Sequence, residues 1–90
     1  MTITLSGIEF DNCHYDGRGD VLYLSVGPPR EPARALETPE GHNVEYDEHG
    51  NVIGLVLLNV RWTLERDGEL QLTWPPAHVP AQDLEPALAA

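Results

Sequence analysis

Lysine is missing from this sequence altogether, and five scattered arginines (Arg18, Arg30, Arg34, Arg61, Arg66) stand against fifteen acidic residues. A formal net charge of −10 repels phosphate backbones and the arginines form no stripe, so nucleic acid is not an expected partner. Excess acid serves solubility first; as a functional signal it points to a cationic ligand or a basic protein partner. Cys13 is the lone cysteine, so no internal disulfide can form. No Cys-x-x-Cys or His-Glu-x-x-His pattern suggests a structural metal, and no cofactor is expected. Met1-Thr2-Ile3-Thr4 opens without a basic leader or a long apolar run. Neither a signal peptide nor a membrane span is therefore expected, and the expected compartment is the cytoplasm.

Ninety residues make one domain, 1–90. A chain of this size buries only roughly 60–65% of the surface its unfolded form exposes, so its core is thin. With disulfide and metal supports missing, self-association into a homodimer is the expected support.

What the chain does contain is a phrase written twice. Tyr15-Asp16-Gly17-Arg18-Gly19-Asp20-Val21-Leu22 returns as Tyr46-Asp47-Glu48-His49-Gly50-Asn51-Val52-Ile53, and a weaker third copy is Glu65-Arg66-Asp67-Gly68-Glu69-Leu70-Gln71-Leu72. The unit is a strand, a Gly-containing turn and a strand. Short strands are also expected at Ile3-Thr4-Leu5 and Ile8-Glu9-Phe10 around Ser6-Gly7. Val21–Val26 alternates, with Leu22, Leu24 and Val26 on one face and Val21, Tyr23 and Ser25 on the other. His42–Asp47 and a long run Val52–Leu64 follow as strands, with Gly54 and Asn59 as bulges or bends. Leu55-Val56-Leu57-Leu58 is apolar on both faces, which again suggests a second copy as cover.

Residues 27–43 hold Pro28, Pro29, Pro32 and Pro39. They are expected to form a Pro-rich loop, with at most a helical turn over Ala33–Leu36. A three-residue loop Arg66-Asp67-Gly68 would pair Leu64 with Leu70, Trp62 with Leu72 and Val60 with Trp74, keeping one face apolar. Gly19, Gly50 and Gly68 are the expected left-handed turn positions. Residues 78–90, broken by Pro80 and Pro86, are expected to form a short helical tail whose Val79, Leu84 and Leu88 cover the sheet. The expected fold is thus all-β, an antiparallel hairpin meander of about five to six strands with a helical tail.

The run from Tyr15-Asp16 through Asp20-Val21-Leu22-Tyr23-Leu24, then Val44-x-Tyr46-Asp47-x-x-Gly50-x-Val52-x-Gly54-Leu55, resembles the domain-of-unknown-function family 2283 of small bacterial proteins. The resemblance spans about residues 15–60. It implies a compact β-rich protein of unassigned activity, with a hint of a binding role because some members look like companions of small toxin-like proteins. It carries over no catalytic residue.

Candidate chemistry is sparse. His14 and His42 with Asp16, Glu45 or Asp47 would be a metal or acid–base site if their strands were neighbours. Asp16 and Asp47 are better accounted for by turns in which Asp bonds its own backbone two residues on. Cys13 and His14, adjacent on a strand, point to opposite faces and make a poor nucleophile pair. Arg18-Gly19-Asp20 spells an adhesion tripeptide but sits in a turn. The ending Ala87-Leu88-Ala89-Ala90 resembles a bacterial degradation tag. Trp62, Trp74, Pro28 and Pro29 are the expected partner surface of a non-catalytic binding or regulatory module. The alternative is a small enzyme or metal-dependent binder built on His14, His42 and the turn carboxylates.

Overall fold

Two Gly-containing turns of the repeated phrase fold back neighbouring apolar strands, and from them a computed structural model, describing residues 1–89, builds a five-stranded antiparallel sheet. Its strands are β3 (Asn12–Asp16), β4 (Val21–Ser25), β5 (Arg34–Glu37), β6 (Asn43–Tyr46) and β7 (Val52–Leu58), in the order β3-β4-β7-β6-β5. The hairpin β1 (Ile3–Leu5) and β2 (Ile8–Phe10) precedes it as expected. After the sheet come helix α1 (Val60–Asp67), a hairpin of β8 (Glu69–Leu72) and β9 (Ala77–Pro80), and helix α2 (Ala81–Ala89). The antiparallel β-rich class is as expected, but the described residues hold nine strands in three sheets rather than five to six in one meander.

Alternation decides which side of the sheet is core. Leu22 and Leu24 of β4, Val44 of β6, and Leu55 and Leu57 of β7 are buried on one face; Val26, expected with them, lies past the end of β4 and is exposed. Phe10, Leu64, Leu70, Leu72, Val79, Leu84 and Leu88 from the flanking elements pack over them. Tail residues Val79, Leu84 and Leu88 cover the sheet as expected. The tail is one helix, however, and it runs through Pro86. An interior proline costs about 3 kcal/mol; burial of Leu84, Ala87 and Leu88 together offsets that, at about 1.5–3 kcal/mol for each large side chain. Ala87 and Leu88 of the tag-like ending are buried, while Ala90 lies outside the described residues.

The long strand expected over Val52–Leu64 stops at Leu58. Asn59 takes a left-handed conformation (φ 54°) and Val60–Asp67 is helical, so the Leu64–Leu70, Trp62–Leu72 and Val60–Trp74 pairs do not form. Leu70 pairs with Val79 instead. The reason is an ambiguity of period. Residues four apart share a face in a strand and in a helix alike, so Val60 and Leu64, both buried, fit either. Trp62 separates the two readings: a strand would bury it with them, yet it is 56% exposed. Gly68 does have φ > 0, but as the cap that ends α1, its N–H bonded to the Leu64 carbonyl.

Two further expectations change. Ala33–Leu36 is no helical turn: residues 34–37 form edge strand β5, which pairs with β6 and keeps Pro32 and Pro39 just outside it. Prolines are tolerated beside an edge strand because no inner ladder needs their N–H. Gly19 is not the left-handed residue of its turn; Asp20 is, at φ 55°. Gly50 holds its expected conformation, φ 81°. If Asn59 breaks strand from helix as described, Asn59→Val lowers stability by about 1–2 kcal/mol, the cost of a left-handed L-residue, while Asn59→Gly is near neutral. Urea melts of the two variants check this; a stabilising valine would restore the continuous strand.

Candidate functional site

The turn Gly17–Asp20 is a long-range cap. Asp20 Oδ1 accepts hydrogen bonds from the Arg61 amide (2.8 Å) and the Tyr15 hydroxyl (2.7 Å), and Oδ2 accepts from the Trp62 amide (3.0 Å). Asn59, the local cap residue of α1, makes no side-chain cap bond, so a carboxylate from the turn beside it, at the start of the neighbouring strand β4, satisfies the helix's free donors. The Asp20 carbonyl also accepts from Val60 N, and the Arg61 guanidinium lies 5.6 Å from the Tyr15 ring centroid. Burial pushes the Asp20 carboxyl up, but the Arg61 and Trp62 amides, the Tyr15 hydroxyl and the Arg61 charge outweigh it and hold it below the usual range. Sequence reasoning missed this role because α1 itself was hidden.

The second copy of the phrase closes on itself. Asp47 Oδ1 accepts from the His49 and Asn51 amides, both at 2.9 Å, and Gly50 N donates to the Asp47 carbonyl. Those bonds, led by that from Asn51, hold the Asp47 carboxyl below the usual range. Asp16 likewise accepts from Arg18 N at 3.1 Å. The two turns lie at opposite ends of the sheet, since Val21 pairs with Leu58 while Tyr46 pairs with Val52. Asp16 and Asp47 therefore do not converge.

His14 and His42 are apart too. His14 is exposed on β3, its ring 6.0 Å from that of Tyr23. His42 is buried, and its Nδ1 accepts the Leu58 amide at 3.0 Å, which puts the ring proton on Nε2. Burial holds its pKa below 6.5 against the opposing pull of Glu40. Among the described residues no group of three His, Cys, Asp or Glu side chains could hold a metal ion. Cys13 is half-buried near the Met1 and Phe10 carbonyls, and burial raises its thiol pKa.

Beside the open 380 Å³ hollow at the Asp20 cap, lined by Tyr15, Arg61, Trp62 and Glu65, two further concavities stand out. One, of 460 Å³, is lined by Glu40, His42, Trp62, Arg66 and Glu69. Its charges are already engaged: Arg66 bonds Asp67 and lies 4.2 Å from the Trp62 ring centroid, and Glu40 accepts from Thr73. The other, of 240 Å³, lies on the face of the sheet away from the core and is lined by His14, Tyr23, Pro29, Arg30, Glu45 and Val56. Pro29 and Trp62 thus belong to different concavities, so the expected partner surface is not one patch; Trp74 is exposed in the turn between β8 and β9, and Pro28 is exposed in the segment before β5.

That outer face has a definite order. Val21 pairs with Leu58, and Tyr23 lies between His14 and Val56, which continues to Asn43 and Glu37. Val21, Val56 and Leu58 are half-buried and Tyr23 is 44% exposed. At Gly54 a Cβ would meet Glu45 Oε1 at 2.6 Å: the missing side chain lets the Glu45 carboxylate lie across the strand. The bulge expected near Gly54 is one residue away, with Ile53 the extra residue of β7.

The half-buried acid Asp20 and the buried base His42 can each be tested. Asp20→Asn and Tyr15→Phe each cost about 1–2 kcal/mol in chemical denaturation, and in a double-mutant cycle their effects are less than additive. The unfolded His42 imidazole protonates near pH 6.5 and the folded one at lower pH. Between those values the unfolded chain binds the extra proton, so stability is level above the window and falls as pH drops through it. In His42→Ala that slope flattens.

A family model described as a protein of unknown function (DUF2283) matches residues 12–61, more than half of the chain. Neither the curated proteins nor the solved structures compared with the chain give a match. The matched span holds the whole five-stranded sheet, both repeated turns and the Asp20–Arg61 bond. The chain belongs to the DUF2283 family of proteins of unknown function.

Proposed function

We propose that this protein is a non-catalytic binding or regulatory module that works as a homodimer and holds a basic protein partner on the outer face of its five-stranded sheet. The observation that carries this reading is an apolar strip framed by acid. Val21, Tyr23, Val56 and Leu58 form the strip, and Asp16, Glu37 and Glu45 stand on the same face around it. Among the described residues the flanking hairpins and helices pack on the opposite face, and Pro29 and Arg30 line this one at a margin.

Charge decides the occupant. A second copy stacked on this face would set Asp16, Glu37 and Glu45 against their own counterparts, in a chain already at −10. Like charges juxtaposed across an interface oppose docking. A basic segment with alternating apolar residues meets both the strip and its frame. The absence of convergence between His14 and His42, and the turn roles of Asp16 and Asp47, favour binding over catalysis. The homodimer follows from the thin core of a 90-residue chain with a single cysteine.

The test is a titration of the isotope-labelled protein with a peptide of alternating lysine and leucine, read by amide chemical shifts. Saturable changes confined to the strip, weakened by salt and reduced about tenfold or more by Val56→Asp, are expected. Shifts scattered elsewhere, or no saturation, would contradict the reading.

A further inference from the structure

The two edges of the main sheet differ. β3 packs against α2, whereas all four residues of β5 are exposed. Hydrogen bonding fixes which groups β5 leaves free. Thr38 N donates to the His42 carbonyl at 2.7 Å. Bonded pairs alternate along an antiparallel ladder, so with Leu36 opposite Val44 and Arg34 opposite Tyr46, Leu36 and Arg34 also bond β6. The N–H and C=O groups of Ala35 and Glu37 then point away from the sheet. Ala33 adds no outward donor, since its N–H is bonded to the Tyr46 carbonyl at 2.9 Å. Pro39 has none to give.

We infer that β5 pairs antiparallel with β5 of a second copy about a two-fold axis through Leu36, joining two five-stranded sheets into one of ten strands. This rests on the homodimer reading above and names its interface. Register selects the axis. Centred on Leu36, Ala35 of each copy faces Glu37 of the other, and all the outward backbone groups of both residues are used. Centred on Ala35, Glu37 meets Ala33, whose N–H is already taken. Centred on Glu37, two carboxylates stand directly opposite and Ala35 meets proline. Leu36, 40% exposed, gains its counterpart as cover in a non-hydrogen-bonded pair, where side chains are closest. Arg34 and Glu37 leave this edge without net charge, unlike the acidic outer face. Pro32 and Pro39 flank the pairing segment and limit slippage. The joined sheet carries two outer faces side by side and leaves both open to the basic partner.

Sedimentation equilibrium over rising concentration tests this, together with cross-linking in a Cys13→Ala background. The expected result is a mass approaching twice that of the chain. Ala35→Pro removes only an outward N–H and leaves a folded monomer with its melting transition retained. Leu36→Glu, which sets two carboxylates face to face, also gives a monomer if the proline variant fails to fold. Leu36→Cys cross-links to its counterpart under mild oxidation. A dimer that survives both variants and shows no cross-link overturns this interface while the homodimer stands. A monomer at every concentration overturns both, and peptide binding to the outer face then decides separately whether the partner reading survives.

Discussion

Asp20 joins the two halves of this molecule. Its carboxylate lies at the tip of the β3–β4 turn, yet it caps a helix that begins some forty residues later. Without that cap the first turn of α1 would have unsatisfied amides beside a residue, Asn59, that supplies no side-chain bond of its own. The cap fixes where α1 leaves the sheet, and so directs Val60 and Leu64 into the core. The left-handed backbone of Asp20 belongs to the same device: a short polar side chain tolerates it, and the turn is spent on aiming a carboxylate rather than on a glycine.

From that constraint follows a sheet with one dry face and one wet face. β1, β2, α1, the β8–β9 hairpin and α2 supply one layer of cover, and among the described residues the other face meets only the segment around Pro29 and Arg30. The apolar doubling of Leu55-Val56-Leu57-Leu58 therefore acquires a meaning different from a strand sandwiched by its own chain. Leu55 and Leu57 are core; Val56 and Leu58 remain half-buried on the outer face. Glu45, lying flat over Gly54, adds acid beside that strip. Edge strand β5 carries one arginine and one glutamate, whereas Asp16, Glu37 and Glu45 stand on the outer face.

Much of the sheet was legible in the sequence because period-two alternation and turn glycines point the same way. Leu22 and Leu24 against Val21 and Tyr23 gave both the strand and the two faces, and Gly50 gave the second turn. α1 was hidden by a spacing of four between Val60 and Leu64, which both periods satisfy. β5 was hidden by its flanking prolines, whose constraint ends one residue from the strand. The cap at Asp20 had no local signal at all, since its partners are 41 and 42 residues away. Of the site, the outer-face residues were visible as the opposite phase of β4, but the acids around them become one frame only through cross-strand register.

The most direct measurement is the pH titration of the Arg61 and Trp62 amide resonances. If Asp20 caps α1, both shift together as one carboxyl protonates, with a midpoint below the usual aspartate value of 3.8. Amides that do not respond, or that titrate at or above the ordinary aspartate range, would show that α1 is held by something else and that the sheet and its helix are not joined through Asp20.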